Sequence, residues 1–153
     1  MTSTLKRILL VEDSDNDVQL TLAALAETNL ANEVDVVSDG QQALDYFYHR
    51  GRFANRGGEL PAVVLLDLKL PKINGLEVLA QLKGDPDLKA IPVVMLTSSR
   101  EEPDLKQAYS LGVNAYVVKP VGFSAFTDAL KELGLFWAIL NEPPPGTVRK
   151  DSR

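Results

Sequence analysis

Two adjacent carboxylates, Glu12 and Asp13, a third, Asp67, a hydroxyl pair, Thr97-Ser98, and one ammonium, Lys119, each stand directly after a short apolar run. The runs are Ile8-Leu9-Leu10-Val11, Ala62-Val63-Val64-Leu65-Leu66, Val93-Val94-Met95-Leu96 and Tyr116-Val117-Val118. If each run is a strand of one parallel sheet, these side chains gather along its carboxyl edge, where open α/β sheets bind ligands. Three carboxylates held close repel one another unless a cation joins them. An all-oxygen donor set favours magnesium, which keeps several waters and takes one or two carboxylates, with a phosphate completing its shell. A carboxylate so placed can attack phosphorus and form an acyl phosphate, provided the equatorial oxygens are neutralised. Lys119 and the metal would supply that charge, and Thr97 and backbone N–H groups after Asp67 would add donors. Each residue alone has a plainer reading: Glu12-Asp13 caps a helix, Asp67 and Lys119 end strands, Thr97 closes a turn. The repetition across four runs favours a shared site.

The elements needed to position them are legible. Apolar runs near 6–11, 33–37, 62–66, 91–96 and 115–118 are continuous rather than alternating, as in strands buried on both faces, and helical patterns separate them. Ser14 or Asp15 can cap a first helix that carries Val18, Leu22 and Leu25 on one face and ends near Asn29. Asp39-Gly40 opens a second helix, Gly75 to Gly84-Asp85-Pro86 bounds a third, and Pro103 to Gly112 a fourth. The fifth places Phe123, Phe126, Leu130, Leu133 and Trp137 at helical spacing, and Pro143-Pro144-Pro145-Gly146 ends it. Gly51 to Pro61 has no periodic pattern and is long for a connection, which suggests mobility or a partner contact.

Composition excludes several classes. The 153 residues, 45% hydrophobic, suit one domain with a real core. No run approaches the roughly eighteen apolar residues of a membrane span, and Met1 to Arg7 is no signal peptide, so a cytoplasmic protein is expected. With no cysteine and the single His49, thiolate and histidine-cluster metal sites are out. A net charge of -5 argues against a nucleic-acid partner.

From Lys6 to about Leu133 the chain resembles the receiver domain of two-component response regulators. The likeness rests on Glu12-Asp13, Asp67 with Pro71 and Gly75 behind it, Thr97-Ser98 and Lys119-Pro120. It implies a flavodoxin-like, doubly wound α/β fold: a five-stranded parallel sheet in the order 2-1-3-4-5 with five helices. It implies Asp67 as phosphoacceptor and Asp13 and Asp67 as direct magnesium ligands, with Glu12 acting through water. The Lys69 carbonyl is a further ligand, and Lys119 contacts the phosphoryl group. A cis Lys119-Pro120 bond is also implied. Lys69 stands at a variable position that, by the same resemblance, influences hydrolysis of the acyl phosphate. Thr97 and Tyr116 match the family's moving pair: a new dianion at Asp67 would draw the Thr97 hydroxyl inward and leave space for Tyr116 to fill.

Residues 1–140 are expected to form the receiver domain and 141–153 a Pro-rich extension, with no output domain following, so the signal should leave by protein contact. The segment Phe136 to Pro144 resembles the ending of short regulators associated with bacterial and cyanobacterial phytochromes, which implies a light-sensing histidine kinase as donor. Phe136, Trp137, Ile139 and Leu140 exceed what the receiver core needs and favour a homodimer. Three other readings are weaker. A flavin carrier would need a phosphate-cradling loop where Glu12-Asp13 stands. An aspartyl phosphatase commonly has a second Asp where Lys69 stands. A receiver-like adaptor that works without phosphorylation would not need the complete site. The expectation is a phosphoacceptor signalling protein rather than an enzyme, with magnesium-dependent self-phosphorylation and dephosphorylation.

Overall fold

The structure is a computed structural model, and residues 7–27, 34–98 and 103–132 are described. Strands and helices alternate: β1 (Ile8–Val11), α1 (Asp15–Glu27), β2 (Val34–Val37), α2 (Gly40–Tyr48), β3 (Val63–Asp67), α3 (Gly75–Gly84), β4 (Val93–Thr97), α4 (Pro103–Ser110), β5 (Ala115–Val118) and α5 (Phe123–Glu132). All strand pairs are parallel, in the order β2-β1-β3-β4-β5. The flavodoxin-like order implied by the resemblance is therefore the one observed.

The continuous apolar runs are explained by burial on both faces. Leu9, Val11, Val64, Leu66, Val93 and Met95 face one core with residues of α2, α3 and α4. Their neighbours Ile8, Leu10, Val63, Leu65, Val94 and Leu96 face a second core with Val18, Leu25, Phe126 and Ala129 of α1 and α5. Glu12, Asp67 and Thr97 stand at the carboxyl ends of the central strands, just where their apolar runs stop, so these buried polar side chains gather at one edge.

Helix caps fix where the chain turns back from that edge. Ser14 Oγ accepts from the Asp17 N–H at 3.2 Å, which makes Ser14 the cap of α1. Asp39 Oδ1 accepts from the Gln42 N–H at 2.8 Å. Asn74 and Glu77 form a reciprocal capping box at α3. Gly75 is required: a Cβ there would collide with the carbonyl oxygens of Asp67 and Leu68, so only glycine lets α3 begin against the end of β3.

Strands β1 to β4 start one or two residues later than the sequence pattern predicts, and α4 stops at Ser110 because Gly112 adopts φ +104 in the turn that follows. The 51–61 segment has structure of its own, including a 3-10 turn over Gly51–Phe53. The expected end of α1 near Asn29, the continuation of α5 through Leu133 to Trp137, and the boundary at 140 lie outside the described residues. Among the described residues no helix is long and apolar enough to cross a membrane.

Candidate functional site

Glu12 follows β1 directly and Asp67 ends β3, and because these strands are adjacent the two carboxylates meet almost out of reach of water, at 1% and 4% exposure. Asp13 is exposed beside them, and one oxygen from each of the three lies within 4.8 Å of the others. Lys119, at the end of β5, reaches across: its Nζ stands 3.3 Å from Glu12 Oε1, 3.4 Å from Asp67 Oδ1 and 3.1 Å from Asp17 Oδ2. Its own N–H donates to the Thr97 carbonyl at 2.7 Å, tying the ends of β4 and β5 together. The Lys119-Pro120 peptide is cis. Two backbone donors orient the acids: Lys69 N–H to Asp67 Oδ1 at 3.3 Å and Ser14 N–H to Glu12 Oε2 at 3.2 Å. The cleft has a volume of about 320 Å³, and Thr97, Ser98 and Lys69 also line it.

Electrostatics support a cation here. Burial, and next the charge of Asp67, push the Glu12 carboxyl up to about 7, against the pull of the Ser14 N–H and Lys119. Burial likewise raises Asp67, opposed chiefly by the Lys119 charge. Burial alone would lower Lys119, but its hydrogen bond to Asp17 and the charges of Asp67 and Glu12 outweigh it and raise the ammonium to about 12. One ammonium is thus too little positive charge for this set of acids, and the residues fit a hard divalent cation with oxygen ligands.

A pH dependence follows for the metal-free protein. The folded state binds the Glu12 proton more tightly than the unfolded chain does, so the ionised carboxylate destabilises the fold increasingly as pH rises from 4.5 to about 7. The full effect is on the order of 3 kcal/mol. In chelator, the urea midpoint of the parent should fall between about pH 5 and pH 7.5 relative to that of Glu12→Gln. Parallel pH profiles for the two proteins would contradict the placement of Glu12.

Asp17 was not anticipated among the site residues. It lies one turn beyond Asp13, in the first turn of α1, so the helix directs it back over the strand edge; the i, i+4 spacing from Asp13 is the signal that could have revealed it. Tyr116 is half-buried and packs edge-to-face on Tyr109, ring centroids 6.3 Å apart. Because Thr97 pairs with Val118, Tyr116 lies diagonal to Thr97 on the same face of the sheet. Phe136, Trp137, Ile139 and Leu140 lie outside the described residues.

Known proteins share this architecture. The chain is 62% identical to the solved bacteriophytochrome response regulator RtBRR, covering 94% of this chain and 86% of that one, with a TM-score of 0.83. It is 41% identical over 138 residues to the probable methanogenesis regulatory protein FilR2 of Methanothrix harundinacea, covering 90% of this chain and 86% of the relative. The Mn(2+)-bound form of response regulator Rcp1, a protein of Synechocystis sp., is 38% identical with a TM-score of 0.70, covering 95% of this chain and 99% of that one. Residues 8–131 match the response regulator receiver domain, a span that holds both cores and the whole acidic edge, and the chain therefore belongs to that family of two-component signalling proteins.

Proposed function

We propose that the protein accepts a phosphoryl group on Asp67 from a histidine kinase and passes the signal on by protein contact. The observation that carries this reading is the meeting of Glu12, Asp13 and Asp67 with the Lys119 ammonium in one cleft. An Asp67 carboxylate oxygen attacks phosphorus, the phosphorus–nitrogen bond of the kinase phosphohistidine breaks, and the leaving imidazole takes up a proton. Lys119 turns from the carboxylates to a phosphoryl oxygen, and the Thr97 hydroxyl and the backbone N–H groups after Asp67 serve the others. Glu12, Asp13, Asp67 and the Lys69 carbonyl would hold magnesium, which when bound neutralises phosphoryl oxygens; the manganese in the Rcp1 structure supports a divalent ion at such a site. Hydrolysis of the acyl phosphate by water resets the protein.

The 62% identity to a bacteriophytochrome response regulator supports a phytochrome-type kinase as donor. A histidine kinase draws on cytoplasmic ATP, so the exchange takes place in the cytoplasm. Withdrawal of the Thr97 hydroxyl toward the new dianion, followed by rotation of Tyr116, is the proposed output movement. Beryllofluoride mimics the acyl phosphate and tests the site without a kinase. Fluorine NMR should show a bound species that requires both magnesium and Asp67, whereas its absence would favour an adaptor that works without phosphorylation.

Self-association through Phe136, Trp137, Ile139 and Leu140 belongs to the same proposal, on the strength of their apolar character. Sedimentation over a concentration series should show a dimer for the parent and a monomer after truncation at Leu133. A monomeric parent, or a truncated chain that dimerises equally well, would assign these residues to packing within one chain.

A further inference from the structure

A larger cleft, about 630 Å³, opens at the amino-terminal edge of the sheet, at the opposite strand ends from the acidic cluster, and its volume lies in the range of small-molecule sites. Arg7 and Asp35 form one side, at the start of β1 and on edge strand β2, and the connection 49–62 forms the other. That connection is far longer than the join from α2 to β3 requires, yet it is built rather than slack. The Arg56 guanidinium lies 3.8 Å from the Tyr46 ring centroid, donates twice to the Tyr46 carbonyl at 3.1 and 2.8 Å, and donates once to the Glu59 carbonyl at 2.9 Å. Phe53 packs edge-on against Tyr46 with centroids 5.3 Å apart, and a His49 ring nitrogen stands 3.0 Å from the Gly57 carbonyl oxygen.

The chemistry of the walls is specific. The walls carry Arg7, Arg52 and Arg56 against Asp35 and Glu59, a positive balance in a chain of net charge -5. Asp35 is already engaged by Arg7 at 3.1 Å and by the Tyr46 hydroxyl at 2.8 Å, so it offers little negative charge to a ligand. Arg52 is exposed, and among the described residues its guanidinium meets only Gln42 Oε1, at 3.3 Å, and the Phe53 ring, at 4.6 Å. Most of its five N–H donors are therefore available, and the stacked guanidinium presents a flat face. Gly57 and Gly58 line the cleft although neither has a left-handed φ and a Cβ on either would meet nothing within 4 Å. Neither backbone conformation nor packing requires glycine there. What their missing side chains do is keep one wall open.

We propose that this cleft is a nucleotide-binding site, with the phosphate held by Arg52 and the glycine backbone and the base stacked on the outer face of the Arg56 guanidinium, whose inner face covers the Tyr46 ring. The exposed Glu59 carboxylate would accept from a ribose hydroxyl or a ring amino group. The site shares no residue with the Asp67 cleft and is independent of phosphoryl acceptance.

Titration of the full chain with AMP, GMP, adenosine and inorganic pyrophosphate, followed by amide NMR, tests the proposal. A nucleotide should give saturable shifts at Arg52, Gly57 and Gly58, with adenosine and pyrophosphate each binding more weakly. Arg52→Gln and Gly58→Leu should each weaken binding about tenfold or more while the remaining amide spectrum is retained. Gly58→Leu fills the cleft at a position where the fold has room for a side chain, so loss of binding there does not depend on loss of structure. No saturable shift with either nucleotide, undiminished affinity in both variants, or pyrophosphate binding as tightly as the nucleotides would overturn the proposal.

Discussion

Asp67→Asn is expected to abolish acyl-phosphate formation, lowering its rate at least about a thousandfold with a small phosphodonor, because an amide oxygen cannot replace a carboxylate as nucleophile. The neighbouring acids are poor substitutes. Glu12 is buried, with its Oε2 held by the Ser14 N–H, and Asp13 is exposed, without the burial that Asp67 shares with Thr97. The substitution should leave the fold intact, since Asn keeps the shape of Asp and removes a buried negative charge next to Glu12. The Asp67 charge is the second cause of the raised Glu12 pKa, so Asp67→Asn should also flatten the pH dependence of stability in chelator. Loss of phosphorylation together with a flatter pH profile is a paired signature that an unfolded variant would not give.

Asp13→Ala is expected to weaken magnesium binding by at least about a hundredfold, since in the proposed site it removes a direct ligand, where even outer-shell partners are worth about 10–100-fold. Asp13 is exposed, so stability should change by no more than about 0.5 kcal/mol. A calorimetric titration separates this outcome from its alternative: unchanged magnesium affinity in Asp13→Ala would remove Asp13 from the metal shell. In the variant, Glu12 and Asp67 keep their mutual repulsion without relief, so added magnesium should no longer raise the urea midpoint at neutral pH.

The central strands were legible because burial on both faces leaves a continuous apolar signature, and the first polar residue after Val11, Leu66 and Leu96 marks where each apolar run stops; edge strands β2 and β5 are only partly buried. The start of α2 was legible because its cap residue, Asp39, has a local mechanism, and the start of α3 was read from Gly75, while its cap Asn74 was not singled out. The strand order came from the resemblance, because hydrophobic pattern alone does not say which strands pair. Asp17 was hidden because its part in the site depends on the phase of α1 relative to Lys119, a long-range relation with only a weak local signal. The shape of the 51–61 segment was hidden for a related reason: Arg56 organises it through the Tyr46 carbonyl and ring, contacts made across ten positions of sequence.

The most direct measurement is intact-mass analysis with peptide mapping after incubation with a low-molecular-weight phosphodonor, with magnesium and with chelator. The parent should gain one phosphoryl group only with magnesium, and the modified peptide should contain Asp67. The same gain in Asp67→Asn, or a phosphoryl group mapped to a peptide without Asp67, would contradict the assignment of the acceptor.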